Sequence, residues 1–153
     1  MEEEDSMTGI SRGIRRLLAV FFAWGVLLCL LPAAKAATDV TSDATAWSNG
    51  AYVVSGNVTI TDRIEVSSDV TLTLSAGSTL HASKGIHVET GNSLTIGGTG
   101  SLVIDSVDRR KAGIGGNDGE ASGAITINGG TITVTGGYGA PGIGNGPDCL
   151  VSG

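Results

Sequence analysis

The chain has 153 residues, of which 25 are glycine and 4% are aromatic, and its formal net charge is −6 at pH 7. This length suits one domain. The glycines follow no Gly-X-Y period, which excludes collagen, and the plentiful Val, Ile, Leu and Thr argue against a disordered chain. No basic stripe follows residue 36, so we expect no nucleic-acid partner.

The N-terminal segment has the pattern of a secretory signal peptide. Three arginines between residues 12 and 16 precede the apolar run 17–31, and the small residues Ala34 and Ala36 follow it. This order is typical of a cleaved signal, with an uncleaved anchor as the alternative. The run is shorter than the roughly 20 residues that a membrane-spanning helix needs. We therefore predict a signal helix within residues 1–36, a secreted or cell-surface protein, and membrane contact only during export.

Beyond a short linker, predicted over residues 37–46, the segment 47–153 consists of short runs in which apolar residues alternate with Thr, Ser or charged residues. Such alternation is typical of strands with one buried face, and Val, Ile and Thr suit a pleated surface. Gly, Asn and Ser separate the runs, as expected for tight turns. The runs are "VTI" from Val58, "IEV" from Ile64, "VTLTL" from Val70, "IHV" from Ile86, "LTI" from Leu94, "LVI" from Leu102, "ITI" from Ile125 and "ITV" from Ile132.

The spacing of these runs favours a parallel β-helix. If three strands form one coil, Val58, Thr79 and Leu102 stack on one another, and Ile64 stacks on Ile86. Each coil then pairs in parallel with the next, and the inward apolar residues form ladders along the axis. We predict an all-β fold, a right-handed single-stranded parallel β-helix of the pectin-lyase-like kind. An antiparallel β-sandwich, which also contains many short strands, is the alternative.

Two stretches carry a resemblance to a known group of proteins. They are "AYVVSGNVTITDRIEVSSDVTLTLSAGSTLHASKGIHVETGNSLTIGGTGSLVI" and, after "AGIGG", the stretch "GAITINGGTITVTGGYGAPGIGNG". From Trp47 to about Gly146 the chain resembles the glycine-rich β-helix repeat region of bacterial secreted and cell-surface proteins. The resemblance implies an adhesin-like or carbohydrate-binding-like protein in which such units recur in tandem.

The two ends of the predicted repeats differ. The tripeptide "GIG" occurs at residues 113–115 and again at 142–144, and a shift of 29 residues places the next strand just beyond the last residue. We therefore expect a fragment truncated at its C-terminus, with a natural C-terminus as the alternative. At the other end, Trp47 and Tyr52 are expected to cover the first coil.

Catalytic residues are sparse. Pectate-lyase-like and polygalacturonase-like enzymes use parallel β-helices, and their chemistry needs clustered carboxylates close to a basic residue. The best match is "DSVDRRK" at residues 105–111, but Asp105 and Asp108 are not adjacent, and the sequence contains no Asn-x-Asp, Asp-Asp or Gly-His-Gly. A solvated loop is the simpler interpretation. We predict a non-enzymatic protein, with a polysaccharide lyase or hydrolase fragment as an alternative.

One glycine-rich loop is a candidate calcium site. The stretch "GGNDG" at residues 115–119 resembles a single unit of the Ca²⁺-binding nonapeptide repeat. That motif needs tandem copies, and the apolar residue expected two positions after Asp118 is replaced by Glu120. Asp118 and Glu120 are therefore the candidate Ca²⁺ ligands, and no other cofactor is predicted.

The two histidines, His81 and His87, have no carboxylate or cysteine at ligand spacing in the sequence. In "GIHV" the alternation buries Ile86 and Val88, so the imidazole of His87 faces outward. We expect both histidines to be solvated.

The same alternation turns a set of threonines outward, namely Thr59, Thr71, Thr95, Thr126 and Thr133. Rows of hydroxyls on a flat face suit contact with polysaccharide, although Thr is also an ordinary outward residue of strands. The predicted glycan contacts are Thr95, Thr126, Thr133 and the loop residue Tyr138. The expected partner is an extracellular polysaccharide or the surface of a host or neighbouring cell. A carbohydrate-binding module assisted by Ca²⁺ is the alternative function.

Overall fold

A computed structural model describes residues 35–105 and 107–149. The predicted signal helix lies outside the described residues, except for its last two positions. Within these ranges the chain forms strands and turns and no helix, which confirms the all-β prediction. A helix long and apolar enough to cross a membrane is therefore not found in this part of the chain.

The strands of the described residues are short, and most span two to five residues. In chain order they are β1 Thr38–Asp39, β2 Ala46–Trp47, β3 Gly50–Val54, β4 Asn57–Ile60, β5 Ile64–Val66, β6 Val70–Leu74, β7 Thr79–Ala82, β8 Ile86–Val88, β9 Ser93–Gly98, β10 Ser101–Ile104, β11 Ile114–Gly115, β12 Ala124–Ile127, β13 Thr131–Val134 and β14 Ile143–Gly144.

The strands form three sheets in which every described pairing is parallel. Sheet 1 has the order β1-β3-β6-β9-β12, sheet 2 has β4-β7-β10-β13, and sheet 3 has β2-β5-β8-β11-β14. From β3 onward, consecutive strands enter sheets 1, 2 and 3 in turn, and each strand pairs with the strand three places along the chain. We call three such consecutive strands a coil. This topology is compatible with a parallel β-helix and contradicts the antiparallel sandwich.

The predicted stacking of Ile64 on Ile86 is confirmed. The two residues are partners in the β5–β8 pair, and the column continues through Ile114 to Ile143. Because the same residue type recurs at the same place in successive coils, branched side chains pack directly on one another along the axis.

The predicted stacking of Thr79 was wrong by one residue. Val58 pairs with Leu80, and Leu80 pairs with Leu102. A slip of one residue exchanges the two faces of a strand, so the predicted register would have buried the Thr79 hydroxyl and exposed Leu80. The observed register instead places Thr79 beside Asn57 on the outer face.

The core runs along the inside of the coils and is apolar. In β6 the inward residues are buried and the two threonines between them are exposed, which is the alternation the sequence predicts. The largest fully buried side chains are Trp47, Ile60, Ile64, Leu72, Leu74, Leu80, Ile86, Leu94, Ile96, Leu102, Ile104 and Ile114.

The first coil begins earlier than the sequence suggests. Residues 37–46, predicted as a linker, contribute β1 and the first residue of β2, and Val40 is buried in the core. Trp47 is fully buried, donates its indole N–H to the Ala44 carbonyl at 2.9 Å, and stacks on Tyr52 with ring centroids 5.2 Å apart. Trp47 and Tyr52 therefore lie together in the first coil as part of the core.

Candidate functional site around His87

The described part of the chain has a polar cluster on sheet 3, centred on His87 in the middle of β8. Its neighbours Ile86 and Val88 are fully buried in the core, so the imidazole points outward, as the alternation predicts. The expectation that His87 is solvated was wrong, because the residue is only 7% exposed. The alternation predicts only the face of the strand on which a residue lies. It does not predict that a loop covers the outer face at His87.

Two carboxylates flank the His87 imidazole. Nδ1 lies 2.5 Å from Oε2 of Glu65, and Nε2 lies 3.1 Å from Oε2 of Glu120. Glu65 is the direct partner of His87 in the β5–β8 pair. We call this arrangement the Glu65–His87–Glu120 bridge. It joins two successive coils and the loop between β11 and β12, so that His87 has two carboxylate neighbours although the sequence has none at ligand spacing.

A glycine in β11 allows the loop to reach the imidazole. Gly115 is the residue that pairs with His87 from the other side, and it presents no side chain to the bridge. Its φ is +135°, and an added Cβ would overlap the carbonyl oxygen of Gly144. After the turn in which the Glu120 amide donates to the Asn117 carbonyl at 3.0 Å, the chain brings the Glu120 carboxylate over His87.

An open groove of about 320 Å³ lies beside the bridge. Among the residues that line it, Thr90 donates its hydroxyl to the Ala121 carbonyl at 2.6 Å. The lining residues are His87, Glu89, Thr90, Gly119, Glu120 and Ala121. Carboxylates, an imidazole and a hydroxyl in one concavity can exchange hydrogen bonds with a polar ligand.

Arg63 lies close to the bridge and links three coils. Its Nη1 donates to the Lys84 carbonyl at 2.7 Å, and its Nη2 donates to the Ala112 carbonyl at 3.0 Å. Burial lowers the pKa of the Arg63 guanidinium, and the nearby charges of Glu65 and Glu120 oppose that effect. Because an arginine side chain keeps its charge in proteins, the guanidinium is a fixed cation near the two carboxylates of the bridge.

The two candidate Ca²⁺ ligands belong to different ion pairs. Asp118 accepts hydrogen bonds from Arg110 Nε at 2.7 Å and from Arg110 Nη2 at 2.9 Å, whereas Glu120 faces His87. Arg110 also pairs with Asp148. Across residues 35–105 and 107–149, no group of three or more His, Cys, Asp or Glu side chains is arranged to hold a metal ion. The Ca²⁺ site stays a prediction.

The Arg110–Asp118 pair predicts a pH effect on stability. The hydrogen bonds from Arg110 hold the pKa of Asp118 below its ordinary value. A carboxylate whose pKa is lower in the folded than in the unfolded state contributes stability above the unfolded pKa, about 3.9, and loses it as the pH falls through the folded value. We expect Asp118→Asn to lower the urea midpoint at pH 7. The difference in urea midpoint between this variant and the original chain is expected to become smaller toward pH 2.

The control for this prediction is Asp62→Asn, which changes an exposed carboxylate on the turn before β5. Its urea midpoint is expected to stay within the error of the original chain at pH 7. Two outcomes would contradict the assigned role of the Arg110–Asp118 pair. One is an equal decrease of the urea midpoint in both variants, and the other is a decrease in Asp118→Asn that stays the same size at acid pH.

The predicted glycan residues fall on two sheets and one loop. Thr95 pairs with Thr126 in sheet 1, and Thr71 extends the same row. Thr133 lies in sheet 2 and is not part of that row. Tyr138 is 80% exposed, as predicted, and the Arg109 guanidinium lies 5.4 Å from its ring centroid.

His81 is also paired, contrary to expectation. It lies on the outer face of sheet 2, between Thr59 and Val103, and its Nε2 is 2.9 Å from Oδ1 of Asp105. His81 and Asp105 are 24 residues apart in the sequence, and Glu65 and His87 are 22 residues apart. Both separations are close to the length of one coil. The repeat length was therefore the signal in the sequence that could have found both pairs.

Searches against protein-family models, curated protein sequences and solved structures give no match to this chain.

Proposed function

We propose that the chain is a non-enzymatic, adhesin-like segment of an exported or cell-surface protein, and that it contacts polysaccharide through the outer face of sheet 1. The observation that carries this proposal is the row formed by Thr71, Thr95 and Thr126, which are direct partners on three adjacent strands. Thr71 and Thr126 are exposed and Thr95 is half-buried.

The geometry of this row suits a long saccharide chain. Adjacent strands lie about 4.8 Å apart, so the three hydroxyls repeat at that interval along the stack. Each hydroxyl can donate one hydrogen bond and accept two. Thr side chains also have restricted rotamers, so little conformational freedom is lost when a ligand binds. A row of this kind can meet the hydroxyls of successive sugar units.

The finer architecture belongs to the same proposal. We infer a right-handed single-stranded parallel β-helix, because crossover connections between parallel strands of one sheet are right-handed in about 98% of cases. The signal-like segment at the N-terminus supports export. The resemblance to glycine-rich repeats of bacterial surface proteins supports an adhesive role.

The test is a sedimentation assay with insoluble cellulose and chitin. Replacing both Thr95 and Thr126 by Val preserves the shape of the row and removes two hydroxyls. We expect about a tenfold or greater loss of affinity, because each hydrogen bond contributes about 1 kcal/mol and 1.4 kcal/mol is a factor of ten.

The matched control is the double replacement of Thr59 and Thr133 by Val. These two threonines lie on sheet 2 and are separated by His81 and Val103, so they form no continuous row. We expect this variant to bind like the original chain. If no polysaccharide sediments the original chain, or if the two double variants bind equally, the proposed contact face is wrong.

The groove beside His87 favours a second candidate, a carbohydrate-binding module. Its concave shape and polar lining could hold one or two sugar units at a chain end. In the same assay, Glu89→Gln would then reduce binding and the sheet 1 variant would not. A loss of binding in EDTA that Asp118→Asn reproduces would assign a role to Ca²⁺. Product release from polygalacturonate would overturn the non-enzymatic proposal.

A further inference from the structure

We propose that the corner between sheets 2 and 3 binds an acidic polysaccharide, one whose sugar units carry carboxylates, through Lys84, Arg109 and Tyr138. We call these three residues the corner ridge. The ridge is a different surface from the contact face on sheet 1, and it takes a different class of ligand. The proposal therefore goes beyond the threonine row and does not depend on it.

The coil topology brings the cations of the chain to this corner. The sequence after residue 36 contains five Lys and Arg residues, and each of them lies in a connection that leads from sheet 2 to sheet 3. Because paired strands lie about 4.8 Å apart, residues that are scattered in the sequence come together along the stack. They are Arg63 between β4 and β5, Lys84 between β7 and β8, and Arg109, Arg110 and Lys111 between β10 and β11.

Three of these five cations are engaged by contacts within the protein. The Arg63 guanidinium donates to two backbone carbonyls of later coils. Arg110 Nε lies 2.7 Å from Oδ2 of Asp118. Lys111 Nζ lies 3.3 Å from Oδ2 of Asp108. These side chains hold the connections in place and neutralise neighbouring carboxylates.

The other two cations, Lys84 and Arg109, have no such partner. Within residues 35–105 and 107–149, no carboxylate lies within ion-pair distance of either side chain. Arg109 is exposed and Lys84 is half-buried. Their connections belong to successive coils and are in contact, because the Ile86 amide donates to the Gly113 carbonyl at 2.8 Å. Two positive charges on adjacent coils are therefore available to a ligand.

Tyr138 positions the Arg109 side chain. Its ring is 80% exposed, and the ring centroid lies 5.4 Å from the Arg109 guanidinium carbon. The backbone of Tyr138 is fixed to the Arg109 loop, because the Arg110 amide donates to the Tyr138 carbonyl at 3.0 Å. A guanidinium that stacks on an aromatic ring keeps N–H groups at its edge, and these can bind a carboxylate through two parallel hydrogen bonds.

The carboxylates near this corner leave the ridge positive. They are Asp62, Asp105, Asp108 and Asp118. Asp105 and Asp108 each contact a basic side chain. Hydrogen bonds from Arg110 and, to a smaller extent, the charge of Arg109 lower the pKa of Asp118. Asp62 lies in the connection between β4 and β5, which is outside the ridge.

The chemistry of the ridge favours an acidic polysaccharide over a nucleic acid. Proteins bind a nucleic acid by neutralising several phosphates together, whereas the described residues place two unpaired cations here in a chain of net charge −6. A uronic acid unit has one carboxylate, which suits the fork of Arg109. Its ring and hydroxyls suit the amphipathic side chain of Tyr138, which has an apolar face and a phenolic O–H.

The test is an NMR titration of the whole ¹⁵N-labelled chain with a hexasaccharide of alginate, a polymer of uronic acids, in the presence of EDTA. EDTA prevents a Ca²⁺ ion from bridging the ligand and the protein. We expect the amide signals of Arg109 and Tyr138 to move, and we expect the dissociation constant to rise with salt. Cellohexaose, which has no charge, and a thymidylate hexamer, which carries phosphates, are expected to move these signals about tenfold more weakly or not at all.

Variants of the ridge separate its parts. Arg109→Gln is expected to weaken alginate binding about tenfold, because a charge-assisted pair of hydrogen bonds is lost. Lys84→Gln removes a single exposed charge contact and is expected to weaken binding about threefold. Tyr138→Ala is expected to weaken binding and Tyr138→Phe to keep it, because Phe retains the ring that positions Arg109. The matched control is Lys35→Gln, which removes an equal charge beside the turn before β3 and is expected to bind like the original chain.

The proposal is overturned if alginate does not move the two signals, or if cellohexaose or the thymidylate hexamer moves them as strongly. It is also overturned if Arg109→Gln binds alginate like Lys35→Gln. If Arg109→Gln fails to fold, Lys84→Gln decides, and unchanged binding in that variant overturns the proposal. The double replacement of Thr95 and Thr126 by Val is expected to bind alginate like the original chain, so failure of the sheet 1 face and failure of the ridge give different results.

Discussion

Replacing Leu72 by Ala is expected to lower the free energy of unfolding by about 2–5 kcal/mol, the usual range for a buried Leu→Ala change. Leu72 is fully buried in β6, and its partners on the adjacent strands of sheet 1 are Tyr52 and Ile96. The cavity would interrupt a ladder that continues across three coils. Urea unfolding followed by circular dichroism measures the loss.

The matched control is Thr71→Ala, one residue earlier in the same strand. Thr71 is exposed on the outer face, so its replacement is expected to cost about 1 kcal/mol or less, the span of β-propensity differences. The contrast between neighbouring residues tests the alternation itself. Similar losses at residues 71 and 72 would contradict the assignment of Leu72 to the core and Thr71 to the surface.

The second large effect is expected for Gly115→Ala, at about 3 kcal/mol or more, from backbone strain and overpacking together. The φ of Gly115 is +135°, a conformation that L side chains rarely adopt, and an added Cβ would overlap the carbonyl oxygen of Gly144. The strain falls on the β11–β14 pair and on the strand that leads into the Glu120 loop. Urea unfolding again measures the effect.

The control for this change is Gly77→Ala. Gly77 also has a positive φ, +72°, but an added Cβ there would meet open space. Its replacement is expected to cost about 1–2 kcal/mol, the penalty for placing an L residue in the left-handed region. If the two variants lose equal stability, the close approach of Gly115 to Gly144 is not a feature of the folded protein.

Alternation of apolar and polar residues was sufficient to find most of the strands. It works here because each strand has one face in the core and one outside, so the period of two is visible over as few as three residues, as in Ile64–Val66. It missed the two-residue strands β1, β2, β11 and β14, which show no period, and also β3, in which four consecutive residues are half-buried. The two-residue strands are defined by their pairing with neighbouring strands, which a local pattern does not reveal.

The register error at Thr79 has a simple physical origin. Val58 and Leu102 were correctly placed in one column, but the residue between them was taken from an uneven spacing. A constant spacing of 22 residues leads from Val58 to Leu80 and then to Leu102, and Leu80 is the residue that is buried. The apolar ladder therefore contained enough information to set the register.

Only part of the cluster around His87 could be predicted from the sequence. Since Ile64 was placed on Ile86, the next residues, Glu65 and His87, had to be neighbours on the outer face. Glu120 could not be placed in this way, because it lies in a loop where the repeat lengthens and the alternation stops. Its position depends on the tight approach of Gly115 and on hydrogen bonds to other coils.

The parallel register of successive coils is the claim on which the threonine row and the pairing of Glu65 with His87 both depend, and the nuclear Overhauser contacts of β6 test it most directly. We expect amide-to-α contacts that link Leu72 to the region of Tyr52 on one side and of Ile96 on the other, as the parallel pairs require. Strong contacts between α protons of β6 and β7, the mark of an antiparallel hairpin, would contradict the fold and the proposed contact face on sheet 1.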